Sequence, residues 1–240
     1  FYILNTHGVL GHIAGGDYKI DNIVVAVRAD DPAASIQDAA GYEFGGQYSQ
    51  NGDQITTTVD AIDKELGSEI STAEYADLSA QAEGLHNGEV AAIIYNEGYT
   101  GILEESFESY SDNVKIIYTY EIKSKVDSEA SRINVNKDCF AAYISGIDVY
   151  GAIETNSRSD VNIIAVVNPK THQILLITTP RDYYVEFPGI TEGQKDKLTH
   201  AGIHGVDASM TTLESLYETE IDFYARINFT SMIDIVDALG

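Results

Sequence analysis

"RSDVNIIAVVNPKTHQILLITTPRD", residues 158–182, decides how the second half of this chain is built. Two runs rich in Ile, Val and Leu flank "NPKT", and Asn followed by Pro at the second turn position suits a type I turn. The stretch therefore reads as a β-hairpin. If its turn centres between Lys170 and Thr171, Asp160 falls opposite Arg181, and opposed side chains on one face stand about 5 Å apart at Cβ. Arg158 precedes Asp160 by two residues, so extended backbone sends both to the same face. Asp148 closes the preceding apolar run at "SGID", a Gly-containing strand end of the type that often borders a site.

Asp148, Arg158, Asp160 and Arg181 are thus expected at one edge of a sheet. One reading makes them structural ion pairs that cap the hairpin and contribute little to stability. The other makes them a site: two carboxylates can hold a hard cation such as Mg²⁺, and two guanidiniums can grip a phosphate or pyrophosphate. Their spacing alone does not choose between the two.

Outward from the hairpin, the chain keeps an α/β rhythm. "NIVVAVRA" (22–29), "VAAIIYN" (90–96) and "VKIIYTYEI" (114–122) read as buried strands. Ile55, Val59, Ile62 and Leu66 recur at helical spacing, as do Tyr75, Leu78, Ala82 and Leu85. Residues 123–137 are polar and read as a linker, which sets a boundary near 130. Beyond it come a strand at "FAAYISGI", a loop at 189–196, helices at "KLTHAGIHG" and "ASMTTLESLY", a strand at "IDFYARINF", and a helix at "TSMIDIVDALG" capped by Thr230 or Ser231. The expected class is α/β, as two domains, 1–130 and 131–240.

The 240 residues hold 38 acidic and 14 basic side chains, a net charge of -24. Phosphate backbones are bound by clustered Lys and Arg, so nucleic acid is not the expected partner. Cys139, the single cysteine, reads as a small buried hydrophobe and allows no disulfide within one chain. His200 and His204 stand four apart and could ligate zinc, but no third ligand is evident. No run approaches the roughly 18 apolar residues that span a bilayer. The chain begins at Phe1, which is consistent with an upstream anchor having been removed.

From "AAYISGIDVYG" through "SRSDVNIIAVVNPKTHQILLITTPRDYYVEFPG", "DKLTHAGIHG" and "TLESLY" to "IDFYARINFTSMIDIVDALG", residues 138–240 resemble the LytR-CpsA-Psr family, with the motifs in the family's order. The resemblance implies an α-β-α layered domain with a central mixed sheet, preceded here by a smaller α/β accessory domain similar to a lobe of a solute-binding protein. It implies a membrane-anchored, extracytoplasmic phosphotransferase that moves teichoic acid or capsule polymers from an undecaprenyl-pyrophosphate carrier to peptidoglycan, with Mg²⁺-dependent pyrophosphatase activity. Carried over by position, Asp148 and Asp160 resemble the metal-associated acids, with either one able to take the acceptor's proton. Arg158 and Arg181 resemble the pyrophosphate-gripping arginines, and Lys197 a further phosphate contact. The family continues past this point with further arginines, so a chain ending at Gly240 implies an incomplete site. A non-catalytic module that binds polyprenyl pyrophosphate or wall polymer is the alternative, and transcriptional attenuation a third reading that the acidic charge disfavours.

Overall fold

The computed structural model describes residues 18–126 and 134–239. His7, His12 and the centre of the expected linker lie outside the described residues. Residues 21–122 form one compact unit, and the described residues before 21 and after 122 belong to a second. This division differs from a single junction near 130, because the strand Tyr18–Arg28 (β1) starts within the second unit. There Ile20 N–H donates to the Glu154 carbonyl at 2.9 Å, and Asn156 N–H donates to the Ile20 carbonyl at 2.8 Å.

The first unit is a five-stranded mixed sheet with helices. Its elements are β1, Glu43–Gly46 (β2), helix Tyr48–Leu66 (α1), Ser71–Glu74 (β3), helix Leu78–Asn87 (α2), Ala92–Asn96 (β4), short helices Thr100–Ser106 (α3) and Tyr110–Asn113 (α4), and Val114–Lys125 (β5). The strand order is β3-β2-β4-β1-β5, with β2 parallel to β3 and β4, and β1 antiparallel to β4.

Ile23 to Val27 are buried without interruption, because both faces of β1 are covered. Ile23, Val25 and Val27 pack with Ile55 and Ile62 of α1, whereas Val24 and Ala26 pack with Ala82 and Leu85 of α2 and Leu103 of α3. Alternation along one strand thus feeds two cores. The helical stripe over Ile55–Leu66 is present, and α1 stops where Gly67 turns to a φ of 71°. Tyr75 lies outside α2, because Asp77 starts that helix by accepting from Ala80 N–H at 2.8 Å. β5 is half-exposed rather than buried, since it occupies the sheet's edge. β2 and β3, too short for a periodicity signal, were not expected.

The second unit contains Phe140–Ile147 (β6), Ser159–Asn168 (β7), Gln173–Thr179 (β8), Tyr184–Glu186 (β9), Lys195–Lys197 (β10), helix Leu198–Ala201 (α5), a 3₁₀ turn at Gly202–His204, helix Val206–Tyr217 (α6), Phe223–Ile227 (β11) and helix Phe229–Leu239 (α7). Its main sheet, in the order β11-β6-β7-β8, is also mixed: β11 runs parallel to β6, and the other pairs are antiparallel. The architecture is therefore α/β with mixed sheets, as expected. Ala141 and Tyr143 of β6 and Ile164 of β7 bury one sheet face against Leu198 of α5 and Val206 and Leu213 of α6.

The hairpin is formed as read. Asn162 pairs with Thr179 and Asn168 with Gln173, the register that the turn implied. Asn168 Oδ1 accepts from the Lys170 and Thr171 amides at 3.1 and 3.2 Å, which closes the loop.

Three local expectations are corrected. The segment "KLTHAGIHG" is not one helix but the end of a strand, a single helical turn and a 3₁₀ turn. Neither Thr230 nor Ser231 caps α7: Asn228 does so, its Oδ1 accepting from Ser231 N–H while Ser231 Oγ accepts from Asn228 N–H, both at 2.8 Å. This reciprocal pair satisfies two amides that the helix cannot. Cys139 is exposed, because the β6 ladder begins one residue later at Phe140. No described helix is long and apolar enough to cross a membrane.

Candidate functional site

The β6–β7 ladder carries an irregularity where the hairpin reaches its open end. Gly146 pairs with Val161 but Ile147 pairs with Ser159, so Asp160 is the extra residue of a β-bulge. A bulge interrupts the two-residue alternation and re-aims side chains. Ser159 and Asn162, three apart, consequently both point into the core, while Asp160 stays half-buried at the edge.

Arg158 and Asp160 alternate with the buried Ser157 and Ser159, the pattern that extended backbone gives to two residues on one face. They engage different partners. Arg158 Nη2 donates to Asp148 Oδ2 at 3.0 Å, and Arg181 Nη1 donates to Asp160 Oδ2 at 3.0 Å. The four charges form two ion pairs, linked through the backbone at Ser159.

The second pair is held from a third side. Thr199 Oγ1 donates to Asp160 Oδ1 at 2.9 Å, and the Thr199 amide donates to the Arg181 carbonyl at 2.9 Å. One buried threonine on α5 thereby fixes both partners. Lys197 closes β10 two residues before Thr199, so the same attachment sets the position of its backbone. The Arg181 side chain is 49 % exposed, which leaves its planar fork open to a ligand.

Beneath the bulge lies a buried polar network that sequence reasoning missed. Tyr143 Oη donates to Asn162 Oδ1 at 2.7 Å and meets Ser159 Oγ at 2.9 Å, and Ser145 Oγ meets Ser159 Oγ at 2.7 Å. Burial raises the Tyr143 pKa, so the phenol remains a neutral donor. The available signal was Tyr143 and Ser145 on the core-facing parity of an otherwise apolar strand. Replacing Tyr143 with Phe is expected to cost about 1–3 kcal/mol, because buried acceptors lose their donor. A chemical denaturation midpoint for the variant measures this.

His200 and His204 meet different neighbours. His200 Nδ1 lies 2.9 Å from both oxygens of Asp196, and the His204 ring packs edge-on against Phe187. Among the described residues no group of three or more His, Cys, Asp or Glu is arranged to hold a metal.

Partial burial would raise the Asp196 pKa. The His200 hydrogen bond and the Lys197 amide outweigh that and hold it below its ordinary 3.8. A carboxylate with a lowered folded pKa contributes stability that is complete above its unfolded value and is lost as pH falls through the folded one. The difference in denaturation midpoint between wild type and Asp196→Asn should therefore be constant near neutrality and shrink below pH 3.8.

Both site carboxylates offer hard oxygen donors. Asp160 already accepts on both oxygens, whereas the ion pair of Asp148 engages Oδ2. Magnesium takes one or two protein carboxylates and completes its shell with water and substrate phosphate. Oxygen donors of this type suit such an ion by their chemistry.

Residues 105–240, more than half of the chain, match the family model described as the LytR_cpsA_psr family. A curated relative from Enterococcus faecalis (strain ATCC 700802 / V583), named "Polyisoprenyl-teichoic acid--peptidoglycan teichoic acid transferase TagU", is 37% identical over 126 residues, covering 51% of this chain and 40% of the relative. One of the same name from Bacillus anthracis (strain CDC 684 / NRRL 3495) is 30% identical over 135 residues, covering 56% and 43%. The chain spans less than half the length of these curated relatives. Among solved structures, B. subtilis TagT is 31% identical, with 46% of this chain and 41% of that chain covered and a TM-score of 0.39. A family protein described as YwtF (TagT) with bound octaprenyl pyrophosphate lipid is 32% identical, with 46% and 42% covered and a TM-score of 0.39.

Proposed function

The chain belongs to the LytR-CpsA-Psr family, and from that premise we propose that its second unit acts on a polyprenyl-pyrophosphate-linked glycopolymer and transfers the polymer to peptidoglycan. The observation that carries this reading is the pairing of Arg158 with Asp148 and of Arg181 with Asp160 at one end of the hairpin, within the matched residues. Names of curated relatives as teichoic acid transferases support the polymer class. The reaction read from this chemistry is a phosphotransfer. An acceptor sugar hydroxyl attacks the polymer-bearing phosphorus, the bond to the carrier phosphate breaks, and the carrier leaves as its monophosphate.

Negative charge gathers on the leaving oxygen in that step. Arg181 and Arg158, presented in a fixed fork by their carboxylates, would stabilise it electrostatically. Lys197 would add a cation on the neighbouring segment. Asp148 or Asp160 would accept the hydroxyl proton, as a positioned carboxylate can. When bound, Mg²⁺ would be held by Asp148 and Asp160 and would neutralise pyrophosphate charge. The place of action on this reading is the extracytoplasmic face of a bacterial membrane, where lipid carrier and wall acceptor meet.

The test is to titrate a water-soluble short-chain polyprenyl pyrophosphate into the protein by calorimetry, with Mg²⁺ and then with EDTA. Saturable binding that weakens in EDTA is expected. No binding in either condition, to this chain and to one extended to the length of its relatives, overturns the proposal.

A further inference from the structure

The first unit contains a cavity of about 460 Å³ among β1, α2, α4 and β5, a volume within the range of small-ligand sites. Its floor is apolar: Ala82 and Leu85 come from α2 and Val114 from β5. Phe107 and Tyr110 line it side by side, their ring centroids 6.5 Å apart, and the two acidic lining residues, Asp30 and Glu108, are exposed at its rim.

The sign of the charge it favours follows from its neighbours. Among the described residues Arg28 is the one Lys or Arg side chain in the lining, where His86 also stands, and the arginine is already engaged. Its Nη1 donates to the Leu85 carbonyl at 3.2 Å, and its Nε lies 3.7 Å from Asp30. That carbonyl belongs to the last turn of α2, whose C-terminal dipole is negative. Residues 21–122 as a whole carry 20 acidic side chains against three basic ones. The field over the cavity mouth therefore attracts cations.

We propose that this cavity binds a small organic ammonium, its apolar body against Ala82, Leu85 and Val114 and its charged head beside Asp30, Glu108 and the aromatic pair. Ring faces and carboxylates are the groups that recognise an ammonium. Apolar floor, aromatic pair and acidic rim together select an amphiphilic cation over an anion.

The experiment uses the 240-residue chain at 150 mM salt, or about physiological ionic strength, with three isosteric probes: benzylamine, benzyl alcohol and benzoate. Amide shifts are followed by NMR. Benzylamine should give saturable shifts at the lining residues, with benzyl alcohol about fivefold weaker, as an ammonium–π contact of roughly 1 kcal/mol predicts, and benzoate weaker still. The double variant Asp30→Asn/Glu108→Gln, altered only at the rim, should erase the gap between amine and alcohol. Ala82→Phe keeps every carboxylate but fills the floor, and should abolish the shifts. Should that variant not fold, the rim variant decides alone. Tighter binding of benzoate, no shift at the lining by any probe, or benzylamine shifts that survive Ala82→Phe in a folded protein each overturn the proposal. The last result would mark a diffuse counter-ion effect.

Discussion

Arg181→Ala should weaken binding of a polyprenyl pyrophosphate by at least about tenfold while leaving the fold nearly unchanged. A hydrogen bond to a charged group contributes roughly 1.5–3 kcal/mol, or one to two decades in affinity, and Arg181 can offer two such bonds from one plane. The structural loss is small for a different reason. Its ion pair with Asp160 is partly exposed, and such pairs contribute about 0–1 kcal/mol. Asp160 also keeps its bond from Thr199. Calorimetric titration beside a denaturation curve separates the two effects. Arg181→Lys should recover only part of the affinity, since an ammonium keeps the charge but not the fork. Unchanged binding in Arg181→Ala, with the wild type binding saturably, would return the hairpin's mouth to a purely structural ion pair.

Gly202→Ala should damage both stability and binding, without touching a charged group. A Cβ built on Gly202 would lie 2.5 Å from the Ser157 carbonyl oxygen and 2.7 Å from the Ser159 nitrogen. Both are backbone atoms of the segment that carries Arg158, so relief requires moving the main chain rather than a side chain. The Gly202 φ of -62° is ordinary, and space alone demands glycine here. Overpacking of this kind costs about 1–3 kcal/mol, which lowers the melting temperature by roughly 2–4 °C per kcal/mol at this size. The shifted segment would also pull Arg158 from Asp148. Gly41→Ala is the control: a Cβ there meets nothing within 4 Å, and both readouts should stay at wild type. If Gly202→Ala matches that control, the close approach does not position the site.

Several site relations were legible because they are local or periodic. The hairpin register follows from the turn at Asn168–Thr171, and with it the meeting of Asp160 and Arg181. The stripe along α1 and the apolar run of β1 were visible for the same reason. Thr199 was not legible. It sits 39 residues from Asp160, and no pattern couples a threonine after a lysine to a distant carboxylate. The Asp196–His200 contact, between residues four apart, is local and so is of the legible kind.

By itself, the sequence determined the α/β class, the hairpin with its register, the charge that disfavours nucleic acid, and membership of the family through motifs in order. Each depends on neighbours along the chain or on summed composition. Tertiary structure alone decided the bulge that turns Asp160 out and Ser159 in, the grip of Thr199 on the second ion pair, the polar network under the site, and the cavity of the first unit. Those features arise where segments far apart in sequence compete for the same space and the same hydrogen-bond partners, and that competition is settled only when the chain is packed.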